Sequence, residues 1–291
     1  MVRAGIGNAV ELPIVRPLSG GLGARVTGMN ITAPWSGLAL DALQAALDKH
    51  ALLVIKDQSL TRAELVAFSA CFGTVVRHSV AEYLAPDHPE VMILSNNREN
   101  GRLVGAPNNG IYWHSDQIFR KRPVSLTLLY GHEVPPVAGD TLFADMRAIH
   151  SALPAELRAR LQGMRAVHSF CASYEKNYLE AEPLTAVKRE ANPDVEHPAV
   201  RTHPRTGGRS IFLDPDSTIR IVGIPEAESA EILSLVFAYL DRSEFIYRHA
   251  WEPGDLVLWD NRCLMHRATF YDADQHRRVM WRTQLEGEDP V

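Results

Sequence analysis

The chain has 291 residues, 46% of them hydrophobic and 22% charged, and its 30 basic side chains against 35 acidic ones give a formal net charge of −5. That balance argues against nucleic-acid or anionic-membrane binding, and no apolar run approaches the roughly 18 residues that a membrane span requires. Cys71, Cys171 and Cys263 form no CxxC pair and make no disulfide framework, and the N-terminus lacks a leader pattern, so a reduced, cytoplasmic setting is expected.

In chain order, a short strand is expected over 24–31, behind Gly20, Gly21 and Gly23. Leu40, Leu43, Ala46 and Leu47 have helical spacing, which predicts a helix over 40–50. Leu52–Ile55 reads as a compact strand. Thr61 and Glu64 then form a capping box for a helix running towards Gly73. Strands are expected over 91–94, 112–118, 125–130 and 141–144, followed by helices over 145–152 and 154–161. Residues 200–203 and 210–213 flank Pro204-Arg-Thr-Gly-Gly208, a hairpin signature. An amphipathic helix is expected over 226–240, and strands over 256–259 and 279–285 close the chain. Glycines and prolines punctuate the whole length without a repeat or linker. One domain over 1–291 is therefore expected, an antiparallel barrel or sandwich with helical cover.

The segment Tyr112-Trp-His-Ser-Asp-Gln-Ile-Phe119 is the most informative local text. On a strand, His114 and Asp116 share a face, and an imidazole beside a carboxylate supplies two corners of a metal site. His266, after Trp259-Asp-Asn-Arg-Cys-Leu-Met, would be a third, giving the two-histidine, one-carboxylate set of non-haem Fe(II) oxygenases. Among 12 histidines an isolated His-x-Asp carries little weight, and a hydrogen-bonded pair beside a core tryptophan is the rival reading. The last strand adds weight. Arg278, Met280 and Arg282 share one face, with the two guanidiniums ~13 Å apart, and arginine is costly to bury without an anion. Solvated arginines on an edge strand are the rival there. A zinc hydrolase or a non-enzymatic anion-binding barrel shares part of this pattern.

Taken together, Phe72-Gly73 with His78, Trp113-His-Ser-Asp116, Gly139-Asp-Thr-Leu142, Pro253-Gly-Asp-Leu256, Trp259-Asp-Asn-Arg262, His266 and Arg277-Arg-Val-Met-Trp-Arg282 resemble the TauD/TfdA-type Fe(II)- and 2-oxoglutarate-dependent dioxygenases from about Leu18 to Glu286. Asp145-Met-Arg-Ala148, Arg201-Thr-His203, Phe245-Ile-Tyr-Arg-His249 and Cys263 are similar to the aryloxyalkanoate (2,4-D type) branch. The resemblance implies a mainly β fold with flanking helices, a double-stranded β-helix or jelly roll. It implies His114, Asp116 and His266 as iron ligands, and Thr141 and Arg278 on the distal carboxylate of 2-oxoglutarate. It places Arg282 and His78 on the substrate's anion and Tyr174 on an aromatic wall.

The implied reaction uses O2 and 2-oxoglutarate to hydroxylate a C–H bond of a small anionic organic substrate, releasing succinate and CO2. An aryloxyalkanoate-like carboxylate is favoured over taurine, an alkylsulfonate or an alkyl sulfate. Asp116 argues against a halogenase, because halide would need the carboxylate's place. Relatives are often dimers or tetramers, so a homo-oligomer is expected. One extra residue between His266 and the arginine pair leaves Arg277 as a competitor for Arg278, with strand parity favouring Arg278. Residues 96–109 match neither branch and would cover the substrate. Elsewhere Cys71 and Cys263 read as core, Trp113 and Trp259 as core anchors, Arg120-Lys-Arg122 as a solvated turn, and Asp260 and Asn261 as the organisers of the turn before His266.

Overall fold

Leu52–Ile55, Leu256–Asp260 and much of Leu126–Glu133 are unbroken apolar runs rather than alternating ones, and in the computed structural model they become strands covered on both faces. The structure describes residues 12–32, 34–78, 80–106, 110–177 and 183–291. Across the larger sheet the order is Ile14–Pro17, Ala24–Thr27, Leu52–Ile55, Leu256–Asp260, Leu126–Glu133 and Val279–Leu285. Val75–Val76 and Met92–Ser95 share the far edge of the last strand. Every pairing in this sheet is antiparallel except Ala24–Thr27 with Leu52–Ile55. Ile246–His249, Thr141–Asp145 and Leu264–Ala268 form a second, three-stranded antiparallel sheet.

Strand parity sorts the larger sheet's side chains into two cores. Leu53, Ile55, Leu128, Tyr130, Leu258 and Trp281 face outward, under the helices Gly37–His50 and Arg62–Ala70. Leu52, Val54, Leu129, Val257, Trp259 and Met280 face inward with Phe143 and Leu264 of the second sheet. The Phe143 and Trp259 rings meet edge-on at 5.3 Å, so the two sheets face each other as in the expected double-stranded β-helix. The outer face of the smaller sheet (Ala144, Met265) is covered by Met146, Ile149 and the helix Glu226–Phe237. Burying each ~100 Å² of this apolar surface contributes about 2.5 kcal/mol.

The capping box is present: Thr61 Oγ1 accepts from the Glu64 N–H at 3.2 Å, and Glu64 accepts from the Thr61 N–H at 2.7 Å. Several expectations are corrected. The first strand stops at Thr27, because Gly28 turns left-handed (φ 75°). Cys71 is exposed rather than core. Two further helices, Phe170–Asn177 and Ala186–Glu190, were not foreseen. Their signals were short. Ser169 Oγ accepts from the Ala172 N–H at 3.3 Å and Thr185 Oγ1 from the Lys188 N–H at 3.2 Å, but few apolar residues follow either.

His168, on the strand Arg165–His168, is fully buried against His197, with ring centroids 5.4 Å apart. Burial, reinforced by the charge His197 would carry, drives its imidazole from 6.5 down to about 3. Between those values the unfolded chain binds the extra proton, so this residue's contribution is complete above 6.5 and is lost on acidification towards 3. We therefore expect denaturant stability to fall between about pH 7 and about pH 5 by up to ~1.4 kcal/mol per unit from this residue. His168→Gln should flatten that dependence, and an unchanged slope would refute the assignment.

Candidate metal centre

His266 lies on Leu264–Ala268, directly opposite Phe143, so parity turns it inward with Ala268 and Thr141. His114 meets this strand through one antiparallel bridge, its N–H donating to the His266 carbonyl at 3.1 Å and its carbonyl accepting from the His266 N–H at 2.9 Å. Here the sequence reading is corrected, since residues 112–118 form no strand. After His114 the chain turns, with Gln117 left-handed (φ 54°), and Asp116 reaches His114 by that turn rather than by alternation.

Asn261 holds the turn in place. Its Oδ1 accepts from the Asp116 N–H at 3.2 Å and from Trp259 Nε1 at 3.0 Å, and its carbonyl accepts from Ser115 Oγ at 2.7 Å. Its Nδ2 donates to Thr127 Oγ1 at 2.9 Å, and Thr127 donates onward to Asp116 Oδ2 at 2.6 Å. Asn261 thus holds the turn at Ser115 and Asp116, whereas the turn before His266, expected to be its task, is organised by Asp260, whose Oδ1 accepts from the Arg262 N–H at 2.9 Å. Thr127 is a partner the sequence did not reveal, because it sits mid-strand in an apolar run.

The ligand atoms of His114, Asp116 and His266 all lie within 4.8 Å of one another. The carboxylate stands 4.0 Å from His114 Nε2 and 3.8 Å from His266 Nε2, too far for hydrogen bonds. His114 Nδ1 donates to the Tyr112 carbonyl at 2.8 Å, which fixes the ring's orientation and turns Nε2 to the other two ligand groups. Burial, and next the charge His114 would carry, push the His266 imidazole well below its usual value, so its ring is neutral. Burial alone would raise the Asp116 carboxyl, but the Arg282 guanidinium, His266, His114 and the Thr127 bond together hold it well below the usual carboxylate range. Two imidazoles and one carboxylate, converging without bonding each other, suit a hard-to-borderline divalent metal such as Fe(II).

Two spaces meet at these atoms. An outer cleft of about 590 Å³ includes His78, Ile118, Phe119, Phe170, Tyr174 and Arg282 in its walls, besides His114 and Asp116. An inner chamber of about 420 Å³ lies between Thr141, Trp259, His266, Arg278 and Leu129. Gly110, His114 and Arg282 border both. Gly110 is left-handed (φ 80°) and a Cβ there would come within 3.0 Å of His114 Cε1, so only glycine passes this point unstrained.

Arg278 lines the chamber and makes no ion pair among the described residues. Burial lowers its guanidinium to about 10, with Tyr271 opposing the shift. Arg277 points outward to Glu133, 3.6 Å away, with 60% of its side chain exposed. Thr141 Oγ1 accepts from Trp251 Nε1 at 2.9 Å, which leaves its own hydroxyl proton to donate. Arg282 is partly engaged already, with Nη1 donating to Asp116 Oδ1 at 3.2 Å and a buried, unpartnered Nε. His78 Nδ1 accepts from the Val80 N–H at 3.2 Å, so Nε2 carries the proton, and burial, then Arg282, push the ring down to about 3. Tyr174 stands on the unforeseen helix Phe170–Asn177, beside Phe170 with ring centroids 5.8 Å apart. Arg120 is half-buried rather than a solvated turn residue. Within 96–109, residues 107–109 lie outside the described residues; Arg98–Glu99 and Arg102–Leu103 pair as a short hairpin.

Comparison with known proteins agrees with this geometry. Residues 14–284 match the family described as "Taurine catabolism dioxygenase TauD, TfdA family". The chain is 32% identical to pentalenolactone F synthase of Streptomyces arenae, over 95% of this chain and 96% of that one. It is 34% identical to the (S)-phenoxypropionate/alpha-ketoglutarate-dioxygenase of Sphingobium herbicidovorans, over 94% and 95%. The crystal structure of AAD-2 in complex with Mn(II) and N-oxalylglycine superposes with a TM-score of 0.80 at 30% identity, covering 96% of this chain and 98% of that one. The chain belongs to the TauD/TfdA family of dioxygenases.

Proposed function

We propose that this protein is an Fe(II)- and 2-oxoglutarate-dependent dioxygenase that hydroxylates a C–H bond of a small anionic organic molecule, releasing succinate and CO2. The observation that carries the reading is one triad of ligand side chains between two spaces, the cleft lined by His78 and the chamber by Thr141 and Arg278, with Arg282 bordering both. A hydrolytic zinc centre or a simple anion-binding barrel has no use for both.

His114, Asp116 and His266 would hold the iron. When bound, iron and 2-oxoglutarate activate dioxygen for C–H oxidation. The chain's own residues do the placing. Arg278 and Thr141 take the distal carboxylate of 2-oxoglutarate, a planar fork and a hydroxyl matching a planar anion. His78, through Nε2–H, and Arg282 take the substrate's anion at the cleft side. Phe119, Phe170, Tyr174 and Ile118 give an apolar, aromatic wall that excludes water from the target C–H. That wall favours an aryloxyalkanoate-like carboxylate. A sulfonate or alkyl sulfate is the second reading, because the same donors accept all three anions.

The test is succinate formation from 2-oxoglutarate by protein loaded anaerobically with Fe(II) and then exposed to O2, across a panel of aryloxy acids, alkylsulfonates and alkyl sulfates. No iron-dependent turnover with any of them would overturn the proposal. Because Arg282 also bonds Asp116, His78→Ala is the cleaner probe of the anion seat. A lost charge-assisted hydrogen bond is worth about 1.5–3 kcal/mol, so substrate KM should rise about 10- to 150-fold while the 2-oxoglutarate Kd stays put. Equal loss of both would refute this division of labour.

A further inference from the structure

A third space adjoins the inner chamber. This side cavity is bordered by Ser95, Ile111, Phe270, Tyr271 and Arg278 among others. It shares Leu94, Ala268 and Arg278 with the chamber, and no described residue with the outer cleft. The three spaces therefore lie in series, with the chamber in the middle. Phe270, 78% exposed, marks where the side cavity reaches the surface. The turn that joins two of its lining residues, Tyr271 and Arg278, is tied down. Asn96 Nδ2 donates to the Ala273 and His276 carbonyls, both at 2.8 Å, and Asn96 Oδ1 accepts from the Arg278 N–H at 2.9 Å.

From this arrangement we propose that the side cavity is a separate port for the co-substrate, through which 2-oxoglutarate enters and succinate leaves without passing the outer cleft. The inference rests on the co-substrate reading given above. Arg278 stands at the junction, its guanidinium carbon 5.9 Å from the Tyr271 ring centroid, and presents one cation to both spaces. A dicarboxylate arriving from this side meets that cation before it meets the metal ligands. From the other side it would have to pass His78 and Arg282, which hold the substrate's anion, and then the boundary shared by cleft and chamber, lined by Gly110, His114 and Arg282. A filled cleft closes that route. With two mouths, co-substrate exchanges while the primary substrate stays in place.

Ile111 lines the side cavity and neither of the other two spaces. Ile111→Trp should narrow the port and Ile111→Ala widen it, whereas Val80→Trp should narrow the outer cleft. The measurement is anaerobic stopped-flow mixing of Fe(II)-loaded protein with 2-oxoglutarate, followed by the metal-to-ligand charge-transfer absorbance. In Ile111→Trp the association and dissociation rates should both fall about tenfold or more, leaving Kd within about twofold, because a constriction changes passage and not the seat. Ile111→Ala should associate at least as fast as the wild type, and Val80→Trp at the wild-type rate. Wild-type association in Ile111→Trp, or equal slowing in Val80→Trp, would overturn the port. Should Ile111→Trp not fold, Ile111→Ala decides: association slower than wild type counts against the port, and faster association supports it. Absence of any absorbance change in the wild-type protein would instead defeat the co-substrate reading itself.

Discussion

Asp116→Ala should abolish iron-dependent succinate formation and at the same time destabilise the metal-free protein. The carboxylate is one of three ligand groups, and two imidazoles alone, one of them partly exposed, make a poor Fe(II) site. The second effect comes from Arg282. Its guanidinium is buried, donates to Asp116 Oδ1 at 3.2 Å and otherwise lies against Met92 Sδ at 2.8 Å. Deleting the acid leaves that cation buried without a partner, a loss of about 3–5 kcal/mol. Urea unfolding of metal-free Asp116→Ala against His114→Ala separates the two roles. His114 keeps 17% side-chain exposure and its ring makes one hydrogen bond among the described residues, to a carbonyl, so its removal should cost far less. Equal stabilities for the two variants would show that the Arg282–Asp116 pair contributes nothing to the fold.

Arg278→Ala should weaken 2-oxoglutarate binding about 30- to several-thousand-fold, and Arg277→Ala should leave it within about twofold. The asymmetry follows from position. Arg278 is held in the chamber without an acidic partner among the described residues, so a bound carboxylate gains a desolvated ion pair, and truncating one side of such a pair costs about 2–5 kcal/mol. Arg277 makes a surface pair with Glu133, and such pairs contribute about 0–1 kcal/mol. Anaerobic titration of the Fe(II) protein with 2-oxoglutarate checks both variants. Comparable losses in the two would mean that the adjacent arginines share the anion. The change should appear in Kd for the co-substrate before any change in substrate KM.

Much of the site was legible because its residues carry chemistry that is costly without a purpose. His114, Asp116 and His266 stand out as a ligand set, and Arg278 and Arg282 as cations on one parity of an otherwise apolar strand. The reason given for the first pair was nevertheless wrong. Period-two alternation predicts that His114 and Asp116 share a face, whereas in the molecule the turn closed by the Ile118 N–H on the Ser115 carbonyl and the Asn261 hydrogen bonds bring them together. Arg282 read as a free anion receptor, but part of its bonding is directed to Asp116 from a strand 166 positions away in sequence. The helix Phe170–Asn177, which brings Tyr174 and Phe170 to the cleft, was illegible because a short segment with little apolar periodicity owes its helicity to tertiary packing.

Patterning along the chain thus determined the elements that bury themselves on both faces. Runs such as Leu52–Ile55 and Leu256–Asp260 have no polar side to offer water, so they become central strands under helices whatever the neighbouring loops do. Only the tertiary structure decided which strands face each other and that a third space lies against the chamber at Arg278. Those outcomes depend on side chains converging from segments more than a hundred residues apart, and no local periodicity encodes the distance between them.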